Sequence, residues 1–176
     1  MVEHNETAQR AIEVFQESGD IFVSEVATVL FDTAARQKLY KQLVGRQLGP
    51  FARLIRAAFR QEVAYRNALW HGMSEESDAY YEGIYRCAFL LYRLASVEDL
   101  ASLWAAKYLN MDVGSSLGAE FFVGAGVEQS LEFLATAPFP EAADIREYVG
   151  GWFDQAEARE WQKGWEEDMR QVINYA

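Results

Sequence analysis

The chain has 176 residues, 51% of them hydrophobic and 14% aromatic, and a formal net charge of −11. That is material for one well-filled domain over residues 1–176, which excludes global disorder. The acidic balance disfavours nucleic-acid binding, because affinity for a phosphate backbone rests on Lys and Arg. No apolar run approaches the roughly 20 residues of a membrane span, so no membrane association is expected. The opening "MVEHNETAQR" has no apolar core behind a basic start, so no signal peptide is expected. Cys87 has no cysteine partner for an internal disulfide, and a cytoplasmic, reducing location is expected.

In chain order, Ala8, Ile12 and Phe15 predict a helix over about 6–17. The stretch "DIFVSEVATVLFD" is rich in β-branched residues. Phe22, Val26, Val29 and Leu30 nevertheless make a helical stripe, and Asp20 can cap it. A further helix is predicted over 34–47 through Leu39, Leu43 and Val44. Gly49-Pro50 punctuates the chain. Beyond it Phe51, Leu54, Ile55, Ala58, Phe59 and Val63 form one apolar face, with Trp70 near its end and Gly72 as the stop.

"SEESDAYYEGIYRCAFLLYRLAS" is apolar on most sides through Tyr81, Ile84, Tyr85, Ala88, Leu91 and Tyr92. It predicts a central helix in which Cys87 is a small core residue. Ser96 with Asp99 resembles a capping box for a helix over 97–109, with Leu100, Leu103, Trp104 and Tyr108 inward. Pro140 is suited to the first position of a helix that ends at Gly150-Gly151. A last helix is predicted over 157–174, with Trp161, Trp165, Met169 and Val172 on one face. The fold class is therefore all-α. Short connections, with helix pairs at 75–109 and 117–149, suggest stacked antiparallel helical hairpins, either a short HEAT-like array or a compact helical bundle.

"NMDVGSSLGAEFFVGAG" has neither the spacing of a Walker phosphate loop nor the three glycines of a dinucleotide fingerprint, and Glu120 would repel phosphate. It reads as a corner. Gly114 is placed as a left-handed helix cap, Asp112 as an acceptor of backbone N–H bonds in the turn, and the small residues as a site of close helix approach. His71 could meet a metal with Glu75 or Glu76, but no HExxH or Cys/His spacing is present; a role at a helix end is the better reading. No catalytic residue, cofactor or metal site is expected.

Charge is uneven along the chain. Residues 49–73 carry four arginines against Glu62, while residues 138–176 carry four basic residues against nine acids. The two segments could pair within the fold. An acidic face also suits a basic protein partner, and Asp112, Glu157, Glu160, Glu166 and Glu167 are the candidate contact residues. Trp161 and Trp165 read either as core or as an interface anchor.

Leu103 to Lys107, Asn110 to Asp112 and Gly124 to Glu128 resemble a loosely defined group of bacterial all-helical proteins with no assigned activity. They combine a Leu-Trp-x-Ala-Lys helix, an Asn-x-Asp turn and a Gly-Ala-Gly-Val-Glu helix start. The resemblance covers about residues 98–134 and implies architecture only. Small acidic helical proteins of this type include immunity proteins, which neutralise a toxin. The charge of −11, the lack of catalytic motifs and the helical-array reading make a protein-binding module the leading expectation, and that analogy adds an immunity protein as its form. An enzyme with a polar site in a groove between helices, or a structural oligomer subunit, is the alternative.

Overall fold

Ala8, Ala11, Ile12 and Phe15 recur at helical spacing and are all buried. They lie on α1 (Val2–Ser18), the first of a series of helices; the computed structural model describes residues 2–75 and 80–175. Among the described residues every regular element is a helix or a short 3₁₀ turn, so the all-α class holds. The helices form two compact units, residues 1–90 with 170–176 and residues 91–169.

In the first unit α2 (Ser24–Phe31) and α3 (Thr33–Leu43) pack on α1 and on each other, and α4 (Ala52–Trp70) packs on α2. Asp32 ends α2 and starts α3, its Oδ1 accepting from the Ala35 N–H at 2.8 Å. The expected cap by Asp20 is not made. Asp20 instead accepts from the Phe22 N–H at 3.0 Å in the preceding turn. Phe22 thus lies outside α2 and is 78% exposed, against the expectation that it joins the core stripe. Along α4 the apolar stripe is buried from Phe51 to Phe59, Val63 is half-buried, and Gly72 follows with φ +65°. Trp70, expected on that face, is 53% exposed at the helix end.

The predicted central helix begins later than the sequence suggests. A 3₁₀ turn at Tyr80–Glu82 leads into α5 (Gly83–Leu94); residues 76–79 of that prediction lie outside the described residues. Gly83 starts α5 at a crowded point, where a larger residue would force neighbouring side chains to shift. A Cβ there would meet Gln37 Nε2 at 2.5 Å and Glu62 Oε2 at 2.6 Å. The unit boundaries fall within α5 and within the last helix.

In the second unit Ser96 caps a 3₁₀ turn (Val97–Asp99) by accepting from the Glu98 N–H at 3.4 Å. α6 (Leu100–Lys107) follows and packs on α7 (Met111–Ser116). Leu100, Leu103 and Trp104 are buried, but Tyr108, expected to join them, is 69% exposed past the helix end. α8 (Val127–Thr136) packs on α9 (Ala142–Phe153), and α10 (Ala158–Tyr175) closes the chain. α9 does not stop at Gly150-Gly151 as predicted. Two glycines disfavour a helix by about 1 kcal/mol each, but Val149 and Phe153 on either side are buried and carry the helix through. Of the stripe expected on α10, Trp165 and Met169 are half-buried and Val172 is exposed. Ile173 is the fully buried residue instead.

Candidate functional site

The corner at 110–126 is held by side chains that the sequence pattern does not single out. Asn110, not Asp112, caps α7: its Oδ1 accepts from the Val113 N–H at 3.1 Å. Asp112 is exposed in the first turn, where an acid favours the helix dipole. Gly114 lies inside α7, not past a helix end, and its φ is not positive. A Cβ there would meet the Lys107 carbonyl oxygen at 2.9 Å. Close approach is therefore its reason, and the left-handed cap is not. Gly126 alone in the corner has a positive φ, +104°.

Lys107 Nζ donates to the carbonyls of Gly114 (2.7 Å) and Leu117 (3.0 Å), and sits 4.8 Å from the Tyr148 ring centroid. Its ammonium is occupied by the corner itself. Burial lowers the Lys107 pKa, and Glu120 partly opposes this. Burial also raises the Glu120 pKa, with Lys107 and nearby backbone N–H groups pulling the other way. The folded chain therefore holds the Glu120 proton more tightly than the unfolded chain does. Stability from this group is present below the ordinary carboxyl range and is lost as pH rises through and beyond it. Glu120→Gln should raise the melting temperature at neutral pH and leave it unchanged near about pH 4. Equal shifts at both pH values would show that the carboxyl charge is not responsible.

The second unit carries nearly all of the net charge. Residues 91–169 hold five basic and fifteen acidic residues, a balance of −10 out of −11. Twelve of those acids are exposed, so most of this charge faces solvent. Glu157, Glu160 and Glu167 are among them. Glu160 and Glu167 are seven residues apart on α10 and share a face. Glu160 meets Lys163 at 3.0 Å in an exposed pair that adds little stability. Glu166 points elsewhere: it is half-buried, and its Oε2 accepts from the Tyr92 hydroxyl at 3.3 Å. Arg159, in the first turn of α10, pairs with Glu128 of α8 and holds its carboxyl below the ordinary range.

Both readings of the tryptophans find a place. Trp165 meets Tyr92 edge-on at 5.2 Å and Phe121 at 4.9 Å. Trp161 stacks beside it at 6.5 Å and touches Trp152 at 5.6 Å, yet remains 46% exposed. Trp161 is thus an exposed indole that follows Glu160 in sequence and lies one turn after Glu157, both exposed, so an apolar anchor and acids share one end of the helix.

Between α8 and α9 runs an open groove of about 550 Å³, lined by Leu131 on one side and by Ala143, Arg146, Glu147, Gly150, Gly151 and Asp154 on the other. The fold does not require its glycines. A Cβ at Gly151 would meet nothing within 4 Å, and one at Gly150 only Leu131 Cδ2 at 4.0 Å. Gly151→Ala should therefore stabilise the chain by up to about 1 kcal/mol; a lower melting temperature would reveal a constraint on that position.

The first unit buries a charged network that sequence reasoning missed. Arg36 Nε donates to Glu62 Oε1 at 2.7 Å, and the Tyr40 hydroxyl donates to the same oxygen at 2.7 Å. Arg36 is 2% exposed and Glu62 and Tyr40 are fully buried. Burial would lower the Arg36 pKa, but Glu62 and Tyr40 outweigh it, and the net direction is upward. The Tyr40 pKa is raised well above its ordinary value, first by burial and then by Cys87 and Glu62. The available signal was positional: Arg36 and Glu62 each fall on the buried stripe of their helix, at spacings of three and four from Leu39, Tyr40, Ala58 and Phe59.

His71 sits at the end of α4, its Nδ1–H donating to the Asn67 carbonyl at 2.8 Å. Glu76, one of its proposed metal partners, lies outside the described residues. Among the described residues no group of three or more His, Cys, Asp and Glu is placed to hold a metal, and no helix is long and apolar enough to cross a membrane. Comparison of the chain with family models, with curated proteins and with solved structures gave no match.

Proposed function

We propose that this chain is a protein-binding module whose acidic second unit captures a basic partner. The observation that carries the reading is the segregation of charge: a balance of −10 within residues 91–169, with most of the acids exposed. A surface field of one sign steers an oppositely charged partner and rejects like-charged ones. Trp161, 46% exposed, supplies an apolar anchor on the helix that also carries the exposed Glu160 and Glu167, and Asp112 adds an exposed acid on α7. Within this class we favour a cytoplasmic immunity protein that neutralises a basic toxin, on the analogy with small acidic helical immunity proteins.

The enzyme alternative draws on the Arg36–Glu62–Tyr40 network. That network is enclosed, with each member at 2% exposure or less, so a substrate would reach it only by opening the helices around it. The partner reading is tested by capture from a lysate of the source organism with wild type and with Glu160→Lys/Glu167→Lys. A basic protein retained by wild type and lost by the variant, at an unchanged melting temperature, is expected, since exposed charges add little to stability. A neutral or acidic partner, or undiminished capture by the variant, contradicts it.

A further inference from the structure

Resting on that reading, we infer that the groove between α8 and α9 seats a helix of the basic partner, one that presents two Lys or Arg side chains two turns apart. The lining residues of α9, at 143, 146, 147, 150, 151 and 154, recur at helical spacing along three turns. This is a strip about 16 Å long. Gly150-Gly151 lie in its C-terminal half, and Leu131 of α8 provides the apolar contact opposite. A strip of this form accepts a second helix at close range, its small apolar residues lying over the glycines. The glycines weaken α9, and no neighbouring atom demands them. A backbone approaching from outside is a use for them that the fold does not supply.

Charge decides which helix. Glu147 and Asp154 stand in the groove seven residues apart, both exposed. A helix aligned with α9 would answer them with basic residues at i and i+7, and small apolar residues at i+3 and i+4 would lie over the glycines. Arg146 offsets Glu147 locally, so the acidic bias is strongest toward Asp154. A second copy of this chain is a poor occupant, because the same unit in that copy carries the same balance of −10.

The test uses the full chain and a fluorescently labelled 18-residue helical peptide with Lys at i and i+7 and Ala at i+3 and i+4. Anisotropy is read at low salt and at about 300 mM salt, where the Debye length is well under 10 Å. Wild type should bind, and more weakly at high salt. Gly151→Leu, which fills the groove, should weaken binding by about tenfold or more while the chain still melts cooperatively. Glu147→Gln/Asp154→Asn should weaken it similarly and flatten its salt dependence. A peptide with Glu in place of both Lys should not bind.

Three outcomes overturn the assignment. If Gly151→Leu leaves peptide binding and capture of the basic partner intact while Glu160→Lys/Glu167→Lys removes both, the groove falls and the acidic-module reading stands. If neither the peptide nor any basic protein binds at either salt, both fall. If sedimentation finds a dimer that Gly151→Leu returns to monomer, the groove belongs to a second copy.

Discussion

Glu62→Leu is expected to cost roughly 3–5 kcal/mol, because it strands the Arg36 guanidinium in the core. Arg36 is 2% exposed and its Nε has Glu62 as its acceptor at 2.7 Å, while its Nη1 donates to the Leu30 carbonyl at 2.7 Å. Tyr40 loses its acceptor at the same time. Arg36→Met should cost a similar amount by stranding the carboxylate. The double variant Arg36→Met/Glu62→Leu should recover most of the loss, since two apolar side chains need no partners. The wild-type network is also incompletely satisfied: Arg36 Nη2, Glu62 Oε2 and Gln37 Nε2 have no hydrogen-bond partner among the described residues. Urea denaturation of the four proteins forms a double-mutant cycle. Losses that simply add would mean that the two charges do not depend on each other.

Gly124→Val should lower stability by about 1–3 kcal/mol or more, through overpacking of backbone against backbone. A Cβ at Gly124 would overlap the Tyr92 carbonyl oxygen and lie 2.7 Å from its carbon. Neither atom can rotate away as a side chain would. Tyr92 is further fixed by its hydrogen bond to Glu166 and its edge-on contact with Trp165, so the corner must move instead. A denaturation midpoint equal to wild type would show that the loop yields at no cost. Gly151→Ala provides the contrast within the same unit, a glycine whose replacement should help.

The helical class was legible because apolar spacing is local. Ala8, Ile12 and Phe15 on α1, and Leu54, Ile55, Ala58 and Phe59 on α4, are where the period places them. The role of the glycine stretch as a corner with a close helix approach was legible too, and Gly124 makes that approach against Tyr92; Gly114, expected as a left-handed cap, instead lies close to Lys107, and Asn110 takes the cap expected of Asp112. Failures came where tertiary packing overrides a local signal. Phe22 and Tyr108 have core-like composition but fall past helix ends, and Gly150-Gly151 reads as a stop until Val149 and Phe153 are seen to be buried. Of the five candidate contact acids, Glu157, Glu160, Glu167 and Asp112 are exposed. Glu166 is not fully so, because no periodicity reveals that a tyrosine 74 residues earlier will reach it. The groove was invisible for the same reason: it exists only when α8 lies against α9.

The association rate of the captured partner with wild-type protein, measured by stopped flow across ionic strength, tests the acidic-capture proposal most directly. Exposed charges steer encounter and are screened by salt, whereas buried apolar contacts are not. The rate is expected to fall by an order of magnitude or so between low and high salt, with a much smaller change in dissociation. Glu160→Lys/Glu167→Lys should reduce both the low-salt rate and its slope. An association rate indifferent to salt, in wild type and variant alike, would contradict capture by the acidic unit.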